Sequence, residues 1–127
     1  MPETKRLWIM IAGPYGSGAA SDEARAANLR AMNVAALEIW KRGHVPVIGV
    51  NMALPVIAAA GAARYEAIMM PLSLALAERC DAVLRIGGPS RGADREVALI
   101  RAKGGRVFTE ASAIPAASAP HPATGSG

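Results

Sequence analysis

The sequence predicts a single α/β domain: a doubly wound, mostly parallel sheet of four to five strands with helices on both faces. Three observations predict it. Short continuous apolar runs, LWIMIA at 7–12 and DAVLRI at 81–86, have the character of strands buried on both faces. Longer helical patterns stand between such runs, the alternation that builds parallel sheets. The chain has 127 residues, room for one compact domain, and 52% of them are hydrophobic, enough for a core.

Leu7–Ala12 is the first strand, closed by Gly13-Pro14. The glycine-rich loop GPYGSGAAS follows. Ser21 is a good N-cap, and Asp22 and Glu23 suit the first turn of a helix that runs to Arg42 and stops at Gly43. Leu29, Met32, Ala36 and Ile39 make one apolar stripe on it. Ala26, Val34, Leu37 and Trp40 widen that stripe beyond what one sheet needs, which points to a second covering surface such as a partner subunit. His44–Val50 (HVPVIGV) is predicted as the second strand, with Pro46 placing it at an edge. Residues 51–63 fit a short helix or an ordered loop. Arg64–Arg79 is helical in pattern, and Pro71 must kink it or start its second half.

Asp81–Ile86 is the third strand. Gly87–Pro89 leads into a helix from Ser90 to Lys103, ended by Gly104-Gly105, and Arg106–Thr109 is the fourth strand. From Glu110 the composition turns to Pro, Ala, Ser and Gly. Residues 1–110 therefore form the domain, and 111–127 form a flexible tail that packs no core of its own. The pattern is Rossmann- or flavodoxin-like, and such sheets bind ligands outside the carboxyl ends of their strands.

The formal charge of +4 is spread over the ends of elements. That distribution reads as a solvated surface, not a nucleic-acid stripe, and mildly favours small anions. Cys80 is the only cysteine, which fits a reducing, cytoplasmic setting. The apolar part of KRLWIMIAG is too short for a membrane span, and Gly13-Pro14 closes it sooner than a secretory leader would end. No His, Cys, Asp or Glu set has metal-ligand spacing, and GPYGSG lacks the lysine of a P-loop and departs from G-x-G-x-x-G, so no metal or cofactor is expected.

The stretch that can carry chemistry is GPSRGADREV, residues 88–97. Free N–H groups at a helix start attract anions, Ser90 adds a hydroxyl, and Gly92 lets a ligand approach the backbone. Glu96 lies four residues after Gly92, on the same helix face. A plainer reading makes Ser90 an N-cap, Gly92 a turn residue and Glu96 a solvated partner of Arg95 or Arg101. Tyr15 can orient a carboxylate across the cleft or simply pack on the strand ends. Asn28 can reach the cleft or be a tolerated polar residue. His44 and Asp81 fall on the opposite edge and are structural, and His121 needs no role.

IAGPYGSG, Asn28 with RGH after the first helix, RCDAVLRI and PSRGADREV together resemble the nucleoside 2-deoxyribosyltransferase superfamily. The chain is most similar to its small bacterial members and, beyond them, to nucleoside 5'-monophosphate N-glycosidases. The resemblance implies that Glu96 is a nucleophile forming a glycosyl-enzyme ester. It puts phosphate binding on Ser90 and Gly92, nucleophile or base positioning on Tyr15, and further substrate contacts on Gly13 and Asn28. It also implies a homodimer or higher homo-oligomer and a nucleotide or nucleoside substrate. One departure stands out: the family commonly carries an aspartate where this chain has Ser73, with Glu66 or Asp94 as alternative acids. Three readings follow: a nucleotide N-glycosidase, a non-catalytic nucleotide-binding module, and a deoxyribosyl transferase. Serine at position 73 favours the second, and a phosphate-binding Ser90 disfavours the third.

Overall fold

In the computed structural model, which describes residues 4–119 and 121, the chain is an α/β protein with a four-stranded, all-parallel sheet in the order β2-β1-β3-β4. The strands are β1 (Trp8–Ala12), β2 (Val45–Val47), β3 (Ala82–Arg85) and β4 (Arg106–Phe108). The helices are α1 (Asp22–Lys41), α2 (Gly49–Ala60), α3 (Tyr65–Ala77) and α4 (Arg91–Ala102). Pro46 sits in β2 at the sheet edge and faces Ile9 in the parallel ladder. There its missing N–H costs no inner ladder bond.

Alternation along the strands divides the core. Ile9, Ile11, Ala82, Leu84 and Phe108 face one side and meet Met32 and Ile39 of α1. Met10, Ala12 and Val83 face the other side and meet Ala77 of α3 and Ala93, Val97 and Ile100 of α4. Helix α2 packs Ala53 and Ile57 on Met69 of α3. The widened stripe of α1 stays open: Val34, Leu37 and Trp40 are each at least half exposed. No helix among the described residues is long and apolar enough to cross a membrane.

Two expectations change. The second strand ends at Val47, and the chain is helical from Gly49, so residues 51–60 are helix and not loop. The turn comes at Gly49 because α3 lies against it. A methyl built on Gly49 would sit 2.3 Å from Ser73 Oγ and 2.8 Å from Ser73 Cβ. Gly49→Ala should therefore lower stability by about 1–3 kcal/mol, read from urea unfolding midpoints. A shift under a few tenths would mean that α2 and α3 separate freely.

The segment after Glu110 is not a tail without a core. Ile114 is 1% exposed and packs in the α1-side cluster. Arg42 donates to the Ile114 carbonyl at 3.0 Å, and the Ala117 amide donates to the Arg42 carbonyl at 2.8 Å. Buried His44 accepts from the Leu7 amide at Nδ1 (3.0 Å), so its Nε2 carries the proton and donates to the Pro115 carbonyl at 2.6 Å. His121 stacks on Trp40 with ring centroids 4.8 Å apart. Sequence composition carries no sign of these anchors. The remainder of the expected tail, residues 120 and 122–127, lies outside the described residues.

Candidate functional site

The chain leaves β1 toward β2 on one side, and β3 then adds on the other. This reversal opens a crevice above the carboxyl ends of β1 and β3, the place where such sheets bind ligands. The two loops there are tightly matched. A methyl on Gly13 would lie 3.0 Å from Ile86 Cγ1, and one on Gly87, whose φ is +76°, would lie 2.7 Å from Pro14 Cδ. A cavity of about 620 Å³ fills the crevice, within the usual range for small-molecule sites.

Helix α4 starts at its wall. Ser90 is the N-cap, extended at φ −161°, and its Oγ accepts from the Ala93 amide at 3.2 Å. Ser17 of the first loop donates to Ser90 Oγ at 3.2 Å. Two hydroxyls thus join the first loop to a helix N-terminus, whose remaining amides favour an anion. Ser90 is the cap of the plain reading and also lines the cavity.

Glu96 lies in the second turn of α4, lines the cavity and is 8% exposed. Burial pushes its carboxyl up to about 8, and the nearby Arg85 guanidinium only partly opposes this. Arg85 is otherwise engaged. It donates to the Ile86 and Gly88 carbonyls and pairs with Asp94 at 3.3 Å. Asp94 is thereby held outward with a mostly exposed side chain and does not line the cavity, which corrects its place as a candidate acid.

Tyr15 lines the cavity, and its ring packs on both the α1-side cluster and the α2–α3 cluster. Asn28 does not line the cavity. Its Nδ2 donates to the Tyr15 carbonyl at 2.8 Å, so it pins the first loop. Gly13 and Gly92 line the cavity, yet their missing side chains serve packing: a methyl on Gly92 would sit 3.0 Å from Met70 Sδ. Ser73 is 3% exposed and lines the inner wall, and Glu66 lines the cavity from the first turn of α3.

Sequence reasoning missed Ser17, Arg25 and Tyr65. Arg25, in the first turn of α1 and paired with Asp22, is the cavity's cation among the described residues. Tyr65 sets its hydroxyl beside the first loop, 3.7 Å from where a methyl on Gly16 would be. Its phenol is pushed up by burial first, then by Tyr15 and Glu66, with Arg25 opposing. Ser17 stands in a loop whose glycines and Tyr15 are its more conspicuous residues. Arg25 and Tyr65 carry no local signal, because only the packing of α1 and α3 around the crevice brings them in.

Comparison of the chain with protein-family models and with curated proteins finds no match.

Proposed function

We propose that the protein hydrolyses the N-glycosidic bond of a nucleoside 5'-monophosphate, with Glu96 as nucleophile. One observation carries this reading: a buried carboxyl shares a cavity with two serine hydroxyls and the N-terminus of the helix that bears it. Phosphate would rest against Ser90, Ser17 and the first amides of α4, with Arg25 adding charge. The sugar would then lie over Glu96. Breaking the C–N bond builds positive charge at C1', which the carboxylate stabilises and then bonds. Water opens the ester and frees the sugar phosphate.

Incubation with ribo- and deoxynucleoside monophosphates, followed by chromatography of free bases, tests the proposal. Base and sugar phosphate should appear, and the matching nucleosides should react at least about tenfold more slowly for want of the anion contacts. Absence of base from every nucleotide contradicts it.

The pH profile follows from the Glu96 environment. The nucleophile must be ionised, and burial holds its carboxyl near 8 in the free protein. With a neutral base, kcat/KM should therefore climb through pH 6–8 and level off above about 8. A flat profile from pH 5.5 upward would place the working carboxylate elsewhere.

A second reading, a nucleotide-binding module without turnover, is favoured by Ser73, a hydroxyl at the inner wall where the resembling family has an acid. Stabilisation by nucleotide without any product is its signature; about 2.7 kcal/mol is expected at 100 Kd.

The exposed apolar side chains Val34 and Leu37 of α1 and Met52 and Val56 of α2 support a homo-oligomer. Asn51 donates to Asn33 at 2.7 Å and ties the two helices into one surface. Leu37→Glu should shift the sedimentation mass to that of a monomer, and wild type sedimenting as a monomer contradicts the assembly.

A further inference from the structure

We propose that the preferred substrate carries a cationic base, joined to C1' through a quaternary ring nitrogen, which departs as a neutral molecule without receiving a proton. This rests on the glycosidase reading and specifies the substrate class of that same site. A neutral purine or pyrimidine leaves as an anion unless an acid protonates it, so its cleavage calls for a second proton donor beside the nucleophile.

Among the described residues, two carboxyls line the cavity, Glu96 and Glu66. Glu96 is committed to C1'. Glu66 stands at the exposed mouth, in the first turn of α3. Ser73 at the inner wall is seven residues further along that helix, a rise of about 10 Å. Ile11, Met32, Val50 and Met69 line the same cavity and give it an apolar part. A phenol is a weak donor, ordinarily holding its proton until about pH 10. Tyr65 holds its proton more firmly still because it is partly buried, and its hydroxyl lies toward Gly16 of the first loop.

The same wall suits a flat cation. Methionine thioethers pack well against aromatic rings. Burial pushes the Glu96 carboxyl toward its protonated form, and Arg85, the opposing cation, is shared with Asp94 and two loop carbonyls. A nucleotide with a neutral base brings only the negative charge of its phosphate, which disfavours the ionised carboxyl. A positive ring beside the carboxyl favours its ionised form, so the substrate itself readies the nucleophile.

The step balances without an acid. A carboxylate oxygen of Glu96 bonds to C1' as the C1'–N bond breaks. The electron pair of that bond stays on the ring nitrogen, which passes from quaternary and charged to neutral. Water then attacks C1', the carboxylate is restored, and one proton goes to solvent. Cationic nucleotide and water give neutral base, sugar phosphate and one proton.

Nicotinamide mononucleotide and 7-methylguanosine 5'-monophosphate are compared with AMP, GMP and CMP on the wild-type protein at pH 7.5. Base release is followed by chromatography and proton release in a pH-stat. The two nucleotides with cationic bases should be cleaved with kcat/KM on the order of 10²–10⁴ above the others, the range general acid catalysis supplies, with one proton released per turnover of nicotinamide mononucleotide. The Glu96→Gln variant should cleave neither. Cleavage of AMP, GMP or CMP within 100-fold of the cationic pair, dependent on Glu96, overturns the inference and leaves the glycosidase reading standing. No base from any of the five, or equal release by Glu96→Gln, overturns the glycosidase reading itself.

Discussion

Glu96→Gln is expected to abolish base release while making the protein more stable. The two effects have one origin. Glu96 is 8% exposed, and its carboxyl is held near 8 in the fold. In the unfolded chain it titrates near the ordinary glutamate value of 4.5. Below the unfolded value both states are protonated and nothing is lost. Between the two values the unfolded chain ionises and the fold does not, so stability falls as pH rises, by about 1.36 kcal/mol per pH unit. Above about 8 the loss is complete. At pH 7 the cost is on the order of 3 kcal/mol, and a glutamine, which does not ionise, avoids it. The variant should gain most of that figure at pH 7–8 and almost none at pH 4.5, read from urea unfolding across pH. Turnover should fall by roughly 10³-fold or more, as for removal of other covalent nucleophiles. A variant less stable than wild type at pH 8 would mean that the carboxylate has a partner that holds it ionised.

The second large effect is expected far from the cavity. Ile114→Ala should lower stability by roughly 2–5 kcal/mol, the range for truncating a fully buried aliphatic side chain. Ile114 is 1% exposed and shares a cluster with Ile9, Met32, Leu84 and Phe108. Its carbonyl also receives Arg42, and the next carbonyl, that of Pro115, receives buried His44. Truncation after Glu110 should cost more still, because it strands both donors as well as emptying the cluster. A loss below about 1 kcal/mol for Ile114→Ala would return this segment to the status of a tail.

Legibility in the sequence tracked how local the cause is. LWIMIA and DAVLRI declare themselves because a strand buried on both faces must be apolar throughout. HVPVIGV predicts too long a strand for the same reason: an apolar run does not by itself say whether strand has passed into buried helix. Gly49 marks the change, and its meaning depends on Ser73, which comes from another helix. SAIPAAS has the composition of a linker, and no composition rule singles out the one isoleucine that docks. In the site, Ser90 and Glu96 were legible because both stand on one helix at a fixed spacing. The sequence leaves Asn28 able to reach the cleft or to be a tolerated polar residue, and its amide is turned to the Tyr15 carbonyl. Arg25, Tyr65 and Ser17 reach the cavity only through the crossing of separate elements.

Trapping the glycosyl-enzyme tests the central assignment most directly. A nucleoside 5'-monophosphate bearing fluorine at C2' slows ester hydrolysis, and the labelled protein can be digested with trypsin and weighed. The sugar phosphate should be found on the peptide EVALIR, residues 96–101, attached to Glu96. Unmodified EVALIR beside full consumption of the nucleotide, or a label on any other peptide, would contradict it.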